Sequence, residues 1–120
     1  MPSLESSAQS RMIYLASPYS HPDSAIKEDR FVQACKAAGN LIAKGYIVYS
    51  PIAHTHPIAV HCNLPTSWDY WAKVDRIMIA MCDTLVVLQL PGWQESRGVI
   101  AEIEIAAELG LEIIYLEPDL

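Results

Sequence analysis

Residues 83–106, DTLVVLQLPGWQESRGVIAEIEIA, decide how this chain folds. TLVVLQ (84–89) is a short apolar run rich in β-branched side chains, and it reads as a buried strand. Pro91 and Gly92 punctuate a loop, and a helix is entered through Ser96, Arg97 and Gly98. A strand that runs through such a turn into a helix sets backbone N–H groups and a positive dipole end at the carboxyl edge of a sheet. Ligands collect at that edge in open α/β folds, so chemistry is expected there.

The helix carries Glu102, Glu104 and Glu108, whose positions are not equivalent. At about 100° per residue, Glu104 and Glu108 project together and read as solvent-face charges. Glu102 projects towards Val99, Ala106 and Leu109, where partial burial and the nearby dipole push its ionisation in opposite directions. Two readings stay open: a glutamate satisfied by helix-start N–H groups, or a nucleophile or general base.

Working outward, Met12–Ala16 is a second short apolar run, ending at Ser17-Pro18, and reads as another buried strand. Ser20, three residues ahead of Asp23, offers a capping arrangement for a helix from about Asp23 to Lys44. Phe31, Ala34, Cys35, Ala38, Leu41 and Ile42 form its apolar face, and Gly45 stops it. Tyr46–Tyr49 is the next strand. Residues 51–66 hold three prolines without a sustained period, and the spacing predicts a functional loop or lid. Ser67 caps a helix to about Cys82, with Trp71, Val74, Met78 and Met81 as its core stripe. Asp75 intrudes on that stripe and must find a partner or shift its pKa upward; whether it bonds loop backbone or serves chemistry is open. A helix over Gly98–Leu109, stopped by Gly110, and a strand over Glu112–Leu116 complete the chain.

The order β-α-β-α-β-α-β implies a doubly wound parallel sheet of four to five strands in a three-layer α/β/α, flavodoxin-like or Rossmann-like arrangement. Residues 11–120 form one domain, and residues 1–10 read as a disordered tail.

Composition narrows the function. An apolar fraction of 52% and a mean hydropathy of +0.17 suit a globular core. No apolar run reaches the roughly 18 residues of a membrane span, and MPSLESSAQS lacks the basic start and apolar segment of a signal peptide. A net charge of −6 without a basic cluster argues against a nucleic-acid polymer as ligand. Cys35, Cys62 and Cys82 form no CxxC pair and read as reduced core residues of a cytoplasmic protein.

Candidate site residues come from four segments at the strand ends: Tyr14–Tyr19, Ser50–His56, Trp71 with Asp75, and Gly92–Glu102. Neither GxGxxG nor a Walker pattern is present, so no cofactor is expected. Carboxylates, a tyrosine and serines suit glycosyl chemistry, in which one carboxylate attacks an anomeric carbon and a second group protonates the leaving group. His54, His56, His61 and Cys62 offer metal-ligand chemistry, but strict zinc spacings are missing; pocket-lining or backbone-bonded histidines are the competing account, and no metal is expected.

YLASPYS after the first strand, the Asp75-to-Asp83 spacing before TLVV, and SRGVIAEIEIA resemble the nucleoside 2-deoxyribosyltransferase superfamily, including the 2′-deoxynucleoside 5′-phosphate N-hydrolases. The resemblance spans about residues 12–116, and PGWQESRGVIAE is similar to small bacterial and phage members. It implies that Glu102, between Gly98 and Ala106, is the nucleophile. It also implies that Tyr14 orients Glu102, that Asp75 assists base departure, and that Ser96 contacts the phosphate or sugar. The family often has a glycine where Glu104 stands, and the loop before Ser96 is longer here.

The expected activity is cleavage or exchange of the N-glycosidic bond of a nucleoside or nucleoside 5′-monophosphate through a glycosyl-glutamate ester. Ser17, Tyr19, Trp71, Ser96 and Gly98 would bind substrate, with Trp71 or Tyr19 stacking on the base. The resemblance implies a homo-oligomer, and the apolar content of the second and third helices agrees. The rivals are a nucleotide-sensing module without turnover and a metal-dependent hydrolase built on His54, His56 and His61. The nucleophile reading predicts a low pKa for Glu102 and a raised one for Asp75.

Overall fold

The computed structural model describes residues 11–118, so the expected tail at 1–10 lies outside the described residues. Four strands, β1 (Met12–Ala16), β2 (Ile47–Tyr49), β3 (Thr84–Leu88) and β4 (Glu112–Leu116), form one sheet in the order β2-β1-β3-β4. Every pairing is parallel. Four helices, α1 (Ser24–Ala43), α2 (Pro51–Cys62), α3 (Trp68–Ala80) and α4 (Arg97–Leu109), connect and cover them. This is the doubly wound α/β architecture expected of the sequence, with four strands.

The strand sequences explain the layers. β1 and β3 are central, so both faces of each need apolar side chains, and their near-continuous hydrophobic runs supply them. Ile13, Leu15, Val86 and Leu88 point to one face and meet Ala38 and Leu41 of α1. Tyr14, Ala16, Leu85 and Val87 point to the other and meet Ile79 of α3 with Val99, Ile105 and Ala106 of α4. The chain leaves β1 towards one edge of the sheet and β3 towards the other. The carboxyl ends of β1 and β3 therefore form the switch point at which a crevice opens.

Three expectations fail. Residues 51–62 form a helix, not a loop: Ser50 caps it by accepting from the Ala53 N–H, Pro51 occupies its first turn, and Asn63 ends it in the left-handed region. Pro57 sits inside that helix and offers no N–H to the Ala53 carbonyl, which is why the segment looked irregular. On α3, Val74 and Met81 are exposed, and the inward side chains are Asp75 and Ile79 with Trp68 and Met78 half-buried. Cys35 and Cys62 are exposed, leaving Cys82 as the buried cysteine. The start of α1 also differs in detail, since Asp23 is its own cap and accepts from the Ala25 N–H, while Ser20 donates to the Thr66 carbonyl.

Candidate active site

Glu102 lies on α4, six residues past its cap, Ser96, whose Oγ accepts from the Val99 N–H. Placed on the face that packs against the sheet, it is 4% exposed and accepts a short hydrogen bond from the fully buried Tyr14 hydroxyl on β1. Tyr14 reaches α4 because it occupies the same side of β1 as Ala16, facing Ile79 and Val99. The solvent-side reading of Glu104 and Glu108 holds, as both are exposed.

Asp75 enters from α3 and is 6% exposed. Among the described residues, its Oδ1 and the Oγ of Ser17 are the buried side-chain oxygens without a hydrogen-bond partner. Both residues line one cavity of about 270 Å³, which Glu102 also lines. Native interiors satisfy most buried polar atoms, so two orphans facing one cavity mark a place for a polar molecule. Asp75 has no backbone partner at Oδ1, contrary to the structural alternative.

The cavity gathers the residues singled out in the sequence. Ser17 and Tyr19 follow β1, Trp71 and Asp75 come from α3, and Ser96, Gly98 and Glu102 come from the start of α4. Tyr14 stands behind Glu102 and does not line the cavity. Trp71 is held by an indole N–H donated to the Pro65 carbonyl at 2.8 Å. Arg97 and Asp69 form an exposed two-point ion pair at 2.8 and 2.9 Å, joining the starts of α4 and α3 at the rim.

Electrostatics overturn one expectation. Glu102 is pushed up to about 8 by burial, against the lowering effect of the Tyr14 hydrogen bond and with a further upward push from Asp75. The dipole does not rescue its charge, because that effect is confined to the first turn and Glu102 lies beyond it. Burial pushes Asp75 up to about 7. Tyr14 is raised well above its usual value by burial and then by the charge of Glu102, so it remains a hydrogen-bond donor. The site thus holds two carboxyls that exchange protons with water near neutrality.

Sequence reasoning placed Ser50–His56 at the site but missed that it is helical, and it missed Arg30. Ile52 and Thr55 reach the cavity from α2, the segment read as a loop. Arg30 of α1 donates to the Ser20 carbonyl at 3.0 Å and the Pro91 carbonyl at 3.2 Å, clipping the β1 and β3 loops together. Gly92 permits this approach: its φ is 93°, and a Cβ there would stand 2.7 Å from the guanidinium. The histidines do not converge. His54 and His61 are exposed and two helical turns apart, about 10 Å along the axis, whereas His56 is buried against Tyr19 and Glu28. Among the described residues, no three His, Cys, Asp or Glu side chains come together as metal ligands.

Residues 11–117 match the family described as "Domain of unknown function (DUF1937)". The chain belongs to that family. No curated protein matches it. The match covers the whole sheet, all four helices and every cavity-lining residue. Among the described residues, no helix is long and apolar enough to cross a membrane.

Proposed function

We propose that this protein cleaves or exchanges the N-glycosidic bond of a nucleoside or nucleoside 5′-monophosphate. The observation that carries the reading is the buried Glu102, held by Tyr14, opening on the same cavity as the unpartnered Asp75 Oδ1. Ionised Glu102 attacks C1′ as the C1′–N bond breaks. The bonding pair leaves with the base, which takes a proton from Asp75. Water or a second base then attacks C1′ while giving a proton to the Asp75 carboxylate; the C1′–O bond of the ester breaks, which releases the sugar and restores the Glu102 carboxylate and the protonated Asp75. The cavity suits a molecule of nucleoside size, with Trp71 and Trp68 offering aromatic surface and the Ser96 end of α4 offering a place for an anionic group.

Burial raises Glu102 to about 8 and Asp75 to about 7, so the two carboxyls lose their protons over the same range near neutrality. The reactive arrangement has Glu102 ionised and Asp75 protonated; the opposite placement of the proton carries the same net charge. A bell-shaped kcat/KM results either way, and its limbs belong to the pair.

The reading includes a second copy of the chain and a cytoplasmic setting. Tyr70, Val74, Ile77 and Met81 recur along α3 at helical spacing and are between 38% and 60% exposed, an apolar stripe that another copy would cover. Free exposed Cys35 and Cys62 suit a reducing compartment. Incubation with a panel of nucleosides and their 5′-monophosphates, followed by chromatography, tests the activity. Released free base that disappears in Glu102→Gln supports it; binding without release would favour the nucleotide-sensing module.

A further inference from the structure

The wall of the catalytic cavity formed by Tyr19 is anchored from outside it. The Tyr19 hydroxyl lies 2.5 Å from His56 Nδ1, and His56 Nε2 lies 2.8 Å from Glu28 Oε1. Tyr19 and His56 are 5% and 7% exposed, and the His56 ring stacks on Phe31 with centroids 4.4 Å apart. The three residues come from the β1 loop, α2 and α1, so the chain of bonds ties together three separate segments. A second cavity, of about 520 Å³, lies on the Glu28 side, and Tyr19 borders both cavities.

We propose that Glu28 and His56 are positioning residues that act through Tyr19, fixing its ring as the partition against which substrate packs in the catalytic cavity. This rests on the N-glycosidic reading for the identity of the substrate, not for the existence of the bonded chain. The polarity of the chain follows from its end. A Glu28 carboxylate can only accept, so His56 Nε2 carries the proton it donates, and Nδ1 is assigned as the acceptor of the Tyr19 O–H. Burial, and then the charge of Glu28, raise the Tyr19 pKa, which keeps the phenol protonated as this arrangement requires. Phe31 fixes the plane of the imidazole, leaving Tyr19 little freedom to swing. An immobilised wall contributes alike to ground-state and transition-state binding, so its loss raises KM more than it lowers kcat.

The first test reads the protein without substrate. Nitrogen NMR of the histidine side chains should show His56 protonated at Nε2 and unprotonated at Nδ1, with the Nδ1 signal shifting in Tyr19→Phe. A ring protonated at Nδ1, or a signal indifferent to Tyr19→Phe, overturns the proposal whatever the substrate is. The second test is kinetic. His56→Phe keeps an aromatic stack on Phe31 but breaks both bonds, and it should raise KM about tenfold while kcat changes less than about threefold. His56→Asn, which returns an acceptor near the Nδ1 position, should recover most of the loss. The double variant Tyr19→Phe/His56→Phe should be no worse than either single variant. Additive losses, a fall confined to kcat, or no rescue by His56→Asn would each contradict a role exerted through Tyr19. Absence of base release by the wild-type protein would sink the substrate reading and leave the NMR result to decide the anchoring.

Discussion

The two faces of α3 invert the usual distribution of polarity. Its inward face carries Asp75, 6% exposed beside the core residue Ile79, while its outward face carries Tyr70, Val74, Ile77 and Met81 in the open. On α4 the distribution is ordinary on the outside, with Glu104 and Glu108 in solvent, and inverted inside, where Glu102 is buried. A helix placed only for stability would bury the apolar residues and expose the carboxylates. The buried carboxyls and the exposed apolar stripe are the features on which the proposed site and the proposed contact between copies rest.

Five experiments break or sharpen this contrast, in order of expected effect. Glu102→Gln should lower base release at least about 1,000-fold with circular dichroism unchanged, because it removes the proposed nucleophile at constant volume. Glu104→Gln and Glu108→Gln, on the outer face of the same helix, should stay within about twofold. An equal loss in all three would erase the distinction between the faces.

Asp75→Asn should cost about 100-fold in kcat/KM, most for poor leaving bases. In the wild-type protein, kcat/KM should rise with pH through about 7 and fall through about 8. The variant should lose the alkaline limb, and its remaining acid limb should report Glu102 alone and lie no lower than that of the wild-type pair. An unchanged profile would make Asp75 a structural residue.

Stability should follow the same groups. Both carboxyls have folded-state pKa values above their unfolded ones, so the native state binds more protons between about pH 4, the ordinary carboxylate range, and about 8. Their contribution to stability is full below that window and lost as pH rises through it. Glu102→Gln should therefore stabilise the protein at pH 9 relative to wild type, by on the order of 2 kcal/mol, with little gain at pH 4; urea titrations at the two pH values check this. The reverse order would show that Glu102 is ionised in the fold.

The outer face of α3 is tested by assembly. Ile77→Glu, on a residue 56% exposed, should leave folding intact and convert a dimer to a monomer in light scattering. A wild-type monomer at micromolar concentration would remove the second copy from the account. The smallest effect is expected at the rim, where Arg30→Ala loses two bonds to backbone carbonyls and should cost about 1 kcal/mol.

Legibility in the sequence followed locality. β3, α4 and β4 could be read because short β-branched runs, Gly110 and the angular offset of Glu102 are properties of adjacent residues. The cap and stop of α2, Ser50-Pro51 and Asn63, were equally local, but three prolines outweighed them. The face of α3 was misread because apolar side chains were assigned inward, and nothing local says that Val74 and Met81 face out. The pKa of Glu102 and the burial of His56 depend on which segments dock over them. Desolvation and a partner from another helix are not written in neighbouring residues.

The central claim is a covalent bond between Glu102 and the sugar. Rapid mixing with a 2′-deoxynucleoside 5′-monophosphate that the wild-type protein turns over, an acid quench and peptide mass spectrometry test it directly. The account predicts a sugar-phosphate adduct on the peptide containing Glu102, formed together with free base and absent in Glu102→Gln. Turnover by Glu102→Gln at the wild-type rate, or base release with the adduct on another residue, would contradict it.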